Sequence, residues 1–199
     1  MIRTVIFDIG EVIFNGYYGI EKEISERLGT SIPFKTLQTD ELTRYFEGRM
    51  LETEFWRLMI AKFDWPFSIR DLQEIVRRNF KVVPGTIEIV KDLKKHGFVL
   101  GVLSVHSREW VKHLESLHEY ECLFDYLGYS FQSGICKPDP RAFISVASAL
   151  QCQPHECLFI DDMSKNIMAA EALGFHTHHF SSSEKLRYDL VNRGMLPFA

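Results

Sequence analysis

Five short apolar runs, TVIFDI, FVLGVLS, DYLGYS, CLFIDD and FHTHHF, recur along the chain, each bounded by turn residues and separated from the next by helical periodicity. Strands that alternate with helices are joined by crossovers, so they pair in parallel and the helices cover the faces of the sheet. The intervening helices carry their own punctuation. Ile89, Val90 and Leu93 run up to Gly97; Trp110, Leu114 and Leu117 follow Ser107; Phe143, Val146 and Leu150 follow Pro140; Ile167, Ala170 and Leu173 lie between Ser164 and Gly174. The pattern predicts an α/β chain, a Rossmann-like doubly wound parallel sheet of about five strands.

One interval breaks the alternation. From Tyr17 to Val83 there is helical periodicity alone: Ile20, Ile24 and Leu28; Leu42, Tyr45 and Phe46; Phe55, Met59 and Phe63; then Leu72, Ile75 and Val76 after Ser68, whose spacing to Asp71 fits a capping box. This predicts a four-helix insertion over 17–83, within a core formed by 1–16 and 84–199. Leaving after the first strand and returning at Pro84 and Gly85, it sits above that strand's carboxyl end, where open α/β sheets bind ligands. Its aromatics Tyr17, Tyr18, Tyr45, Phe46 and Trp56 read mainly as core, with a few at the mouth of the site.

Composition bounds the function. Apolar residues make up 46% of the 199 positions, yet no apolar run approaches the roughly 20 residues that span a bilayer. MIRTVIFD enters a strand without the features of a secretory signal, so a cytoplasmic location away from membranes is expected. A net charge of −4 offers no basic field for nucleic acid. Cys122, Cys136, Cys152 and Cys157 form no C-x-x-C pair and read as reduced packing thiols. His176 and His178 share a strand face without a third ligand nearby and read as a strand rim. Oligomeric state has no signature in the sequence.

The chemically informative residues fall at one edge of the sheet. Asp8 ends the first strand, Ser104 the second, Lys137 follows the third in GICKPDP, and Asp161 and Asp162 end the fourth. A carboxylate, a hydroxyl, an ammonium and an acidic pair from four strand ends can assemble a magnesium and phosphate site. Asp8 and Asp161 offer the hard oxygens Mg²⁺ prefers, and Ser104 and Lys137 can bind phosphoryl oxygens.

VIFDIGEV, GVLS, CKPDPRAF and LFIDDMSKNIMAAEALGF occur in the order and spacing that resemble the haloacid dehalogenase superfamily, over essentially the whole chain. The insertion resembles its small α-helical cap. The D-x-G form of the first motif and the D-D-x-x-x-N form of the last resemble the subgroup of bacterial sugar-phosphate phosphatases, the α-D-glucose-1-phosphate phosphatases among them. The resemblance implies that Asp8 attacks phosphorus to give an aspartyl-phosphate that water hydrolyses. It also implies Mg²⁺ held by the Asp8 carboxylate, the Gly10 carbonyl and the Asp161 carboxylate, with phosphate held at Ser104, Val105 and Lys137. Asp162 and Asn166 stand one layer behind, Asn166 where many relatives carry aspartate.

Two departures matter. Gly10 stands where the common motif has a second aspartate, the usual general acid and base; its carbonyl keeps the metal position, and slower or choosier catalysis follows. Glu11, on an extended chain, is expected to point away and form a salt bridge. After Ser104, relatives often carry asparagine where this chain has Val105, followed by His106, read first as a surface-loop histidine and second as a group that contacts substrate or transfers a proton. The expected activity is Mg²⁺-dependent hydrolysis of a small phosphorylated metabolite, a phosphoric monoester such as a sugar phosphate. The alternatives are a metal-independent dehalogenase-type hydrolase, against which the acidic pair argues, and a non-catalytic phosphate-binding regulator.

Overall fold

The computed structural model describes residues 1–197. In chain order the elements are β1 (Thr4–Phe7), α1 (Ile20–Leu28), α2 (Asp40–Phe46), α3 (Glu52–Phe63), α4 (Ile69–Asn79), α5 (Thr86–Lys95), β2 (Val99–Ser104), α6 (Arg108–His118), β3 (Tyr126–Tyr129), α7 (Ser130–Ser133), α8 (Pro140–Ala149), β4 (Cys157–Asp161), α9 (Ser164–Ala172), β5 (His176–His179) and α10 (Ser183–Asn192). The sheet runs β3-β2-β1-β4-β5 with every pairing parallel. The predicted α/β fold and its five strands are all present.

Side-chain alternation sorts the strands onto two faces. Val5, Phe7, Val102, Leu158 and Ile160 belong to a core that also takes Ile89 of α5, Trp110 and Leu114 of α6, and Leu186 of α10. Ile6, Leu103, Cys157 and Phe159 face the other way, onto Phe143 and Val146 of α8 and Ile167 of α9. The strands read as apolar runs because both faces are buried. Glycine lets α8 approach: a β-carbon on Gly101 would lie 2.6 Å from Leu150, and one on Gly128 would lie 2.7 Å from Val146.

The helical interval leaves and returns through paired backbone. Asn15 N–H donates to Lys81 O at 2.8 Å and Val83 N–H to Ile13 O at 2.8 Å, so the outgoing and incoming chains lie side by side. Within it, Ser68 and Asp71 form the expected capping box at the start of α4. Its apolar residues do not make a separate core: Ile24, Tyr45, Trp56 and Ile75 join the same cluster as β1 and α6. Polar contacts reinforce this union. Glu52 of α3 is buried and accepts from Trp110 Nε1 of α6 at 2.8 Å, from Gln73 at 2.9 Å and from Arg77 at 2.7 Å, while Tyr45 donates to Glu109 at 3.2 Å. Removing one partner from such a buried charged network typically costs about 3–5 kcal/mol.

The cysteines are free thiols, with Cys152 and Cys157 Sγ atoms 2.9 Å apart. His178 Nδ1 lies 2.9 Å from Asp189 Oδ2 of α10, a hydrogen-bonding contact at the rim of the sheet. No described helix is long and apolar enough to cross a membrane.

Candidate active site

Strand order reverses across β1: the chain goes to β2 on one side and to β4 on the other. Crevices at such reversals, outside the carboxyl ends of the strands, are where open sheets hold ligands. Asp8 lies there, its N–H still donating to Ile160 O of β4 at 2.9 Å. Alternation gives Asp8 the parity of Ile6 and Asp161 the parity of Phe159, so both carboxylates fall on one face, above the α8 and α9 layer. Lys137 enters on that face, its Nζ 5.3 Å from the Phe159 ring centroid.

Lys137 Nζ bridges the carboxylates, 2.9 Å from Asp8 Oδ2 and 2.6 Å from Asp161 Oδ2. Asp8 Oδ1 accepts the Ile9 N–H at 2.7 Å. Burial raises the Asp8 carboxyl to about 7, with Lys137 opposing the rise and Asp161 and Asp162 adding to it. Burial alone would lower the Lys137 ammonium, but the flanking Asp8 and Asp161 outweigh it and hold it above the ordinary lysine value.

The adjacent acids Asp161 and Asp162 differ in kind. Asp161 is fully enclosed: Oδ1 accepts Met163 N–H at 2.8 Å, Oδ2 accepts Lys137, and Asn166 Nδ2 lies 3.0 Å from both oxygens. Asp162 is partly open and lines the cavity, and burial together with Asp161 raises it to about 6. Carboxylate oxygens of Asp8, Asp161 and Asp162 all lie within 4.8 Å of one another. Three carboxylates against one ammonium leave uncompensated negative charge, and hard oxygen donors this close suit a divalent cation such as Mg²⁺.

Above these groups opens a cavity of about 470 Å³. Gly10 is on its wall, and a β-carbon built there meets nothing within 4 Å, so the missing aspartate leaves open space. Val105 and Asn166 also line it. Ser104 is 1% exposed and not on the wall; its hydroxyl, at the end of β2, has no partner among the described residues. Among the expected aromatics, Tyr17, Tyr18 and Phe46 line the cavity, whereas Tyr45 and Trp56 are buried in the core.

Two expectations are corrected. His106 is no surface-loop residue: it is 4% exposed, packed against Phe80 and Trp110, and part of the cavity wall. Burial lowers it to about 4, so it is neutral at pH 7. Glu11 lies not on an extended chain but in the left-handed region (φ 57°); instead of a salt bridge it accepts the Gly16 N–H at 2.6 Å and lines the cavity. The turn after β1 folds back to close that hydrogen bond, which strand alternation could not foresee. Phe34 and Trp110 complete the wall. They carried only helix or loop signals in sequence, and no pattern marked them as lining residues.

The chain is 28% identical over 195 residues to mouse acyl-CoA dehydrogenase family member 10, covering 88% of this chain but 17% of that protein. The next two curated relatives are likewise spanned over only 52% and 36% of their lengths. It is 26% identical over 201 residues to D-ribitol-5-phosphate phosphatase of Bacteroides thetaiotaomicron, covering 96% of this chain and 98% of that one. In fold it is similar to a haloacid dehalogenase family enzyme of Bacteroides thetaiotaomicron solved with magnesium and inorganic phosphate, with a TM-score of 0.77 at 19% identity over 92% of this chain and 96% of the other. The model of the haloacid dehalogenase-like hydrolases matches residues 5–179, and the chain belongs to that family.

Proposed function

We propose that this chain is a Mg²⁺-dependent phosphatase that hydrolyses a phosphoric monoester of a small metabolite through a phosphorylated Asp8. The observation that carries the reading is the close trio of Asp8, Asp161 and Asp162 around Lys137, at the floor of a cavity large enough for a small substrate. The phosphatase named among the full-length relatives supports it, as does the magnesium and phosphate in the structural neighbour.

In this reading an Asp8 oxygen forms a bond to phosphorus as the ester P–O bond breaks, and the departing oxygen takes up a proton. Water then attacks the phosphorus, releasing inorganic phosphate and restoring the carboxylate. Lys137 fixes the Asp8 carboxylate and supplies positive charge to the phosphoryl oxygens. The unpartnered Ser104 hydroxyl and the backbone at Val105 serve those oxygens as well. Mg²⁺ would be held by Asp8, the Gly10 carbonyl and the Asp161–Asp162 pair, and it supplies charge neutralisation as negative charge gathers in the transition state. Within that pair the sequence pointed to Asp161 as the ligand with Asp162 behind it; in this reading Asp162, which lines the cavity, offers the freer oxygens. Asp161, whose oxygens already accept three donor groups, chiefly orients Lys137 and Asn166. Residues 17–83 act as the cap over a core of 1–16 and 84–199, a division supported by the paired backbone at its base.

The test is release of inorganic phosphate from a panel of phosphorylated metabolites, with Mg²⁺ and with a chelator. Release that requires Mg²⁺ and is lost in Asp8→Asn is expected. Chelator-insensitive turnover of a 2-haloacid, or binding of phosphate esters without release from any, would overturn the reading.

A further inference from the structure

The cavity over Asp8 has two unlike walls. The floor holds the charged groups; the wall formed by the insertion and α6 is built of ring faces. Tyr17 stacks on Trp110, centroids 5.3 Å apart at 23°, and meets Phe34 and Phe46 edge-on at 5.7 and 6.4 Å. Tyr18 lies against Phe34 at 4.3 Å.

Apart from Asn166 Oδ1 at the charged floor, most polar groups that could serve a hydroxyl-rich guest are engaged, enclosed or peripheral. Thr39 Oγ1 caps α2 by accepting Leu42 N–H and turns its own proton toward Met59 Sδ. The Trp110 indole N–H is committed to Glu52. Gln38, Asp40 and Thr43 are exposed, at the mouth. Two donors on this wall lack partners among the described residues: the Tyr17 hydroxyl, which is fully enclosed, and the His106 ring. His106 Nδ1 accepts the Ser107 N–H at 3.1 Å, so its proton resides on Nε2, which has no acceptor among the described residues.

We propose that this wall is a leaving-group subsite for phosphate monoesters of largely apolar, ring-bearing alcohols, with His106 Nε2–H donating to one acceptor atom on the ring. The inference rests on the phosphatase reading and names its substrate class. A polyol bound here would leave hydroxyls without partners, each costing roughly fivefold to a hundredfold in affinity. A ring would instead gain about three- to tenfold from each well-placed aromatic contact. A cavity of about 470 Å³ accommodates a two-ring alcohol together with its phosphate.

The experiment compares 2-(2-naphthyl)ethyl phosphate with glycerol 3-phosphate and ribitol 5-phosphate in the presence of Mg²⁺. All three release primary alcohols, so intrinsic leaving ability is similar and recognition decides. The naphthyl ester should show a kcat/KM higher by about thirtyfold or more, expressed mainly in KM. In Phe34→Ala and Phe46→Ala that advantage should shrink toward unity. A quinolinylethyl ester, matched in shape but carrying a ring nitrogen, should outperform the naphthyl ester in the wild type and lose that edge in His106→Leu. Titration calorimetry of the matching phosphonates with Mg²⁺ reads recognition without turnover. Polyol esters turned over as well as the naphthyl ester would overturn the subsite and leave the phosphatase reading standing. Selective phosphonate binding without hydrolysis of any ester would support the subsite and overturn the phosphatase reading. Equal phosphonate affinities would overturn the subsite whatever the turnover.

Discussion

The floor of the cavity and its roof are built by different physics. On the floor, Asp8 and Asp161 are placed by strand ends and Lys137 by the loop after α7, these three are linked by hydrogen bonds and ion pairs, and three carboxylates still crowd one ammonium. On the roof, Tyr17, Leu42 and Trp110 belong to the hydrophobic cluster that holds the insertion to the sheet, and packing rather than charge shapes the surface. The floor gives up stability for a reactive arrangement; the roof gains stability from the same side chains that shape the cavity. Changes on the floor should therefore move charge, metal and turnover, and changes on the roof should move packing and substrate preference.

The largest expected effect breaks the floor alone. Asp8→Asn keeps the shape and can still accept the Ile9 N–H, but the amide is no nucleophile, so kcat should fall by at least about 10⁴-fold. Metal-free Asp8→Asn should meanwhile be at least as stable as the wild type at pH 8, because a buried carboxylate is removed. Calorimetric melting with steady-state assays checks both; a destabilised, partly active variant would mean that the floor is not a catalytic strain. Next in size is Lys137→Met, which leaves Asp8 and Asp161 facing each other without their cation. A loss of about 3–5 kcal/mol in urea unfolding at pH 7.5 is expected. The loss should shrink at pH 5, where Asp8 can take up a proton.

Much of the floor was readable in the sequence because parallel strands leave few choices. An apolar run ending in a polar residue puts that residue at the carboxyl edge, as with Asp8, Ser104 and Asp161, while Lys137 comes in from the loop that follows β3 and α7. The roof was harder to read. Tyr17 and Phe46 look alike in sequence whether they fill a core or line a cavity, and in this fold they do both. The burial of His106 was misjudged because a lone histidine after a strand has no periodic signal, and it is enclosed by Trp110 one helical turn on and by Phe80 from the insertion. Glu11 was misjudged because the chain leaves extended geometry immediately after Gly10. The proposed division of labour between Asp161 and Asp162 rests on which carboxylate meets Lys137, Met163 and Asn166, a matter of side-chain direction that adjacent identical letters do not encode.

A smaller effect separates those two acids. Asp8 and Asp162 have folded values raised to about 7 and about 6, so between roughly pH 4 and 7 the folded metal-free protein holds more protons than the unfolded chain. Their contribution to stability is present at low pH and is lost as pH rises through that window. Mg²⁺ competes with those protons, so its stabilising shift in Tm should grow by several degrees from pH 5 to pH 8. His106, lowered to about 4, works in the opposite sense but cancels between samples with and without metal. In Asp162→Asn the pH-dependent part of the Mg²⁺ shift should be roughly halved. In Asp161→Asn the dominant change should be lower stability without metal, since Lys137 loses a partner at 2.6 Å. Equal loss of the Mg²⁺ shift in both variants would show that the acids share the ion evenly.

The smallest effect lies where floor and roof meet, at Gly10. The position faces the cavity and has empty space where a side chain would begin, so Gly10→Asp should fold with little change in stability. A carboxyl there would protonate the departing oxygen and then draw a proton from the attacking water, help worth about 10²–10⁴ in rate where the leaving group is poor. For an alkyl phosphate, whose alkoxide leaves badly, the gain should be clear, about tenfold even if the new acid is imperfectly oriented. For an aryl or anomeric phosphate, which departs readily without a proton, it should be close to nil. The roof should not notice: the KM preference between ring-bearing and polyol esters should stay as in the wild type. Equal gains for alkyl and aryl esters would mean that the new carboxylate acts through the metal or the phosphoryl group. No gain for either would mean that proton transfer is already supplied by another cavity group, leaving Gly10 as a gap with no chemical consequence.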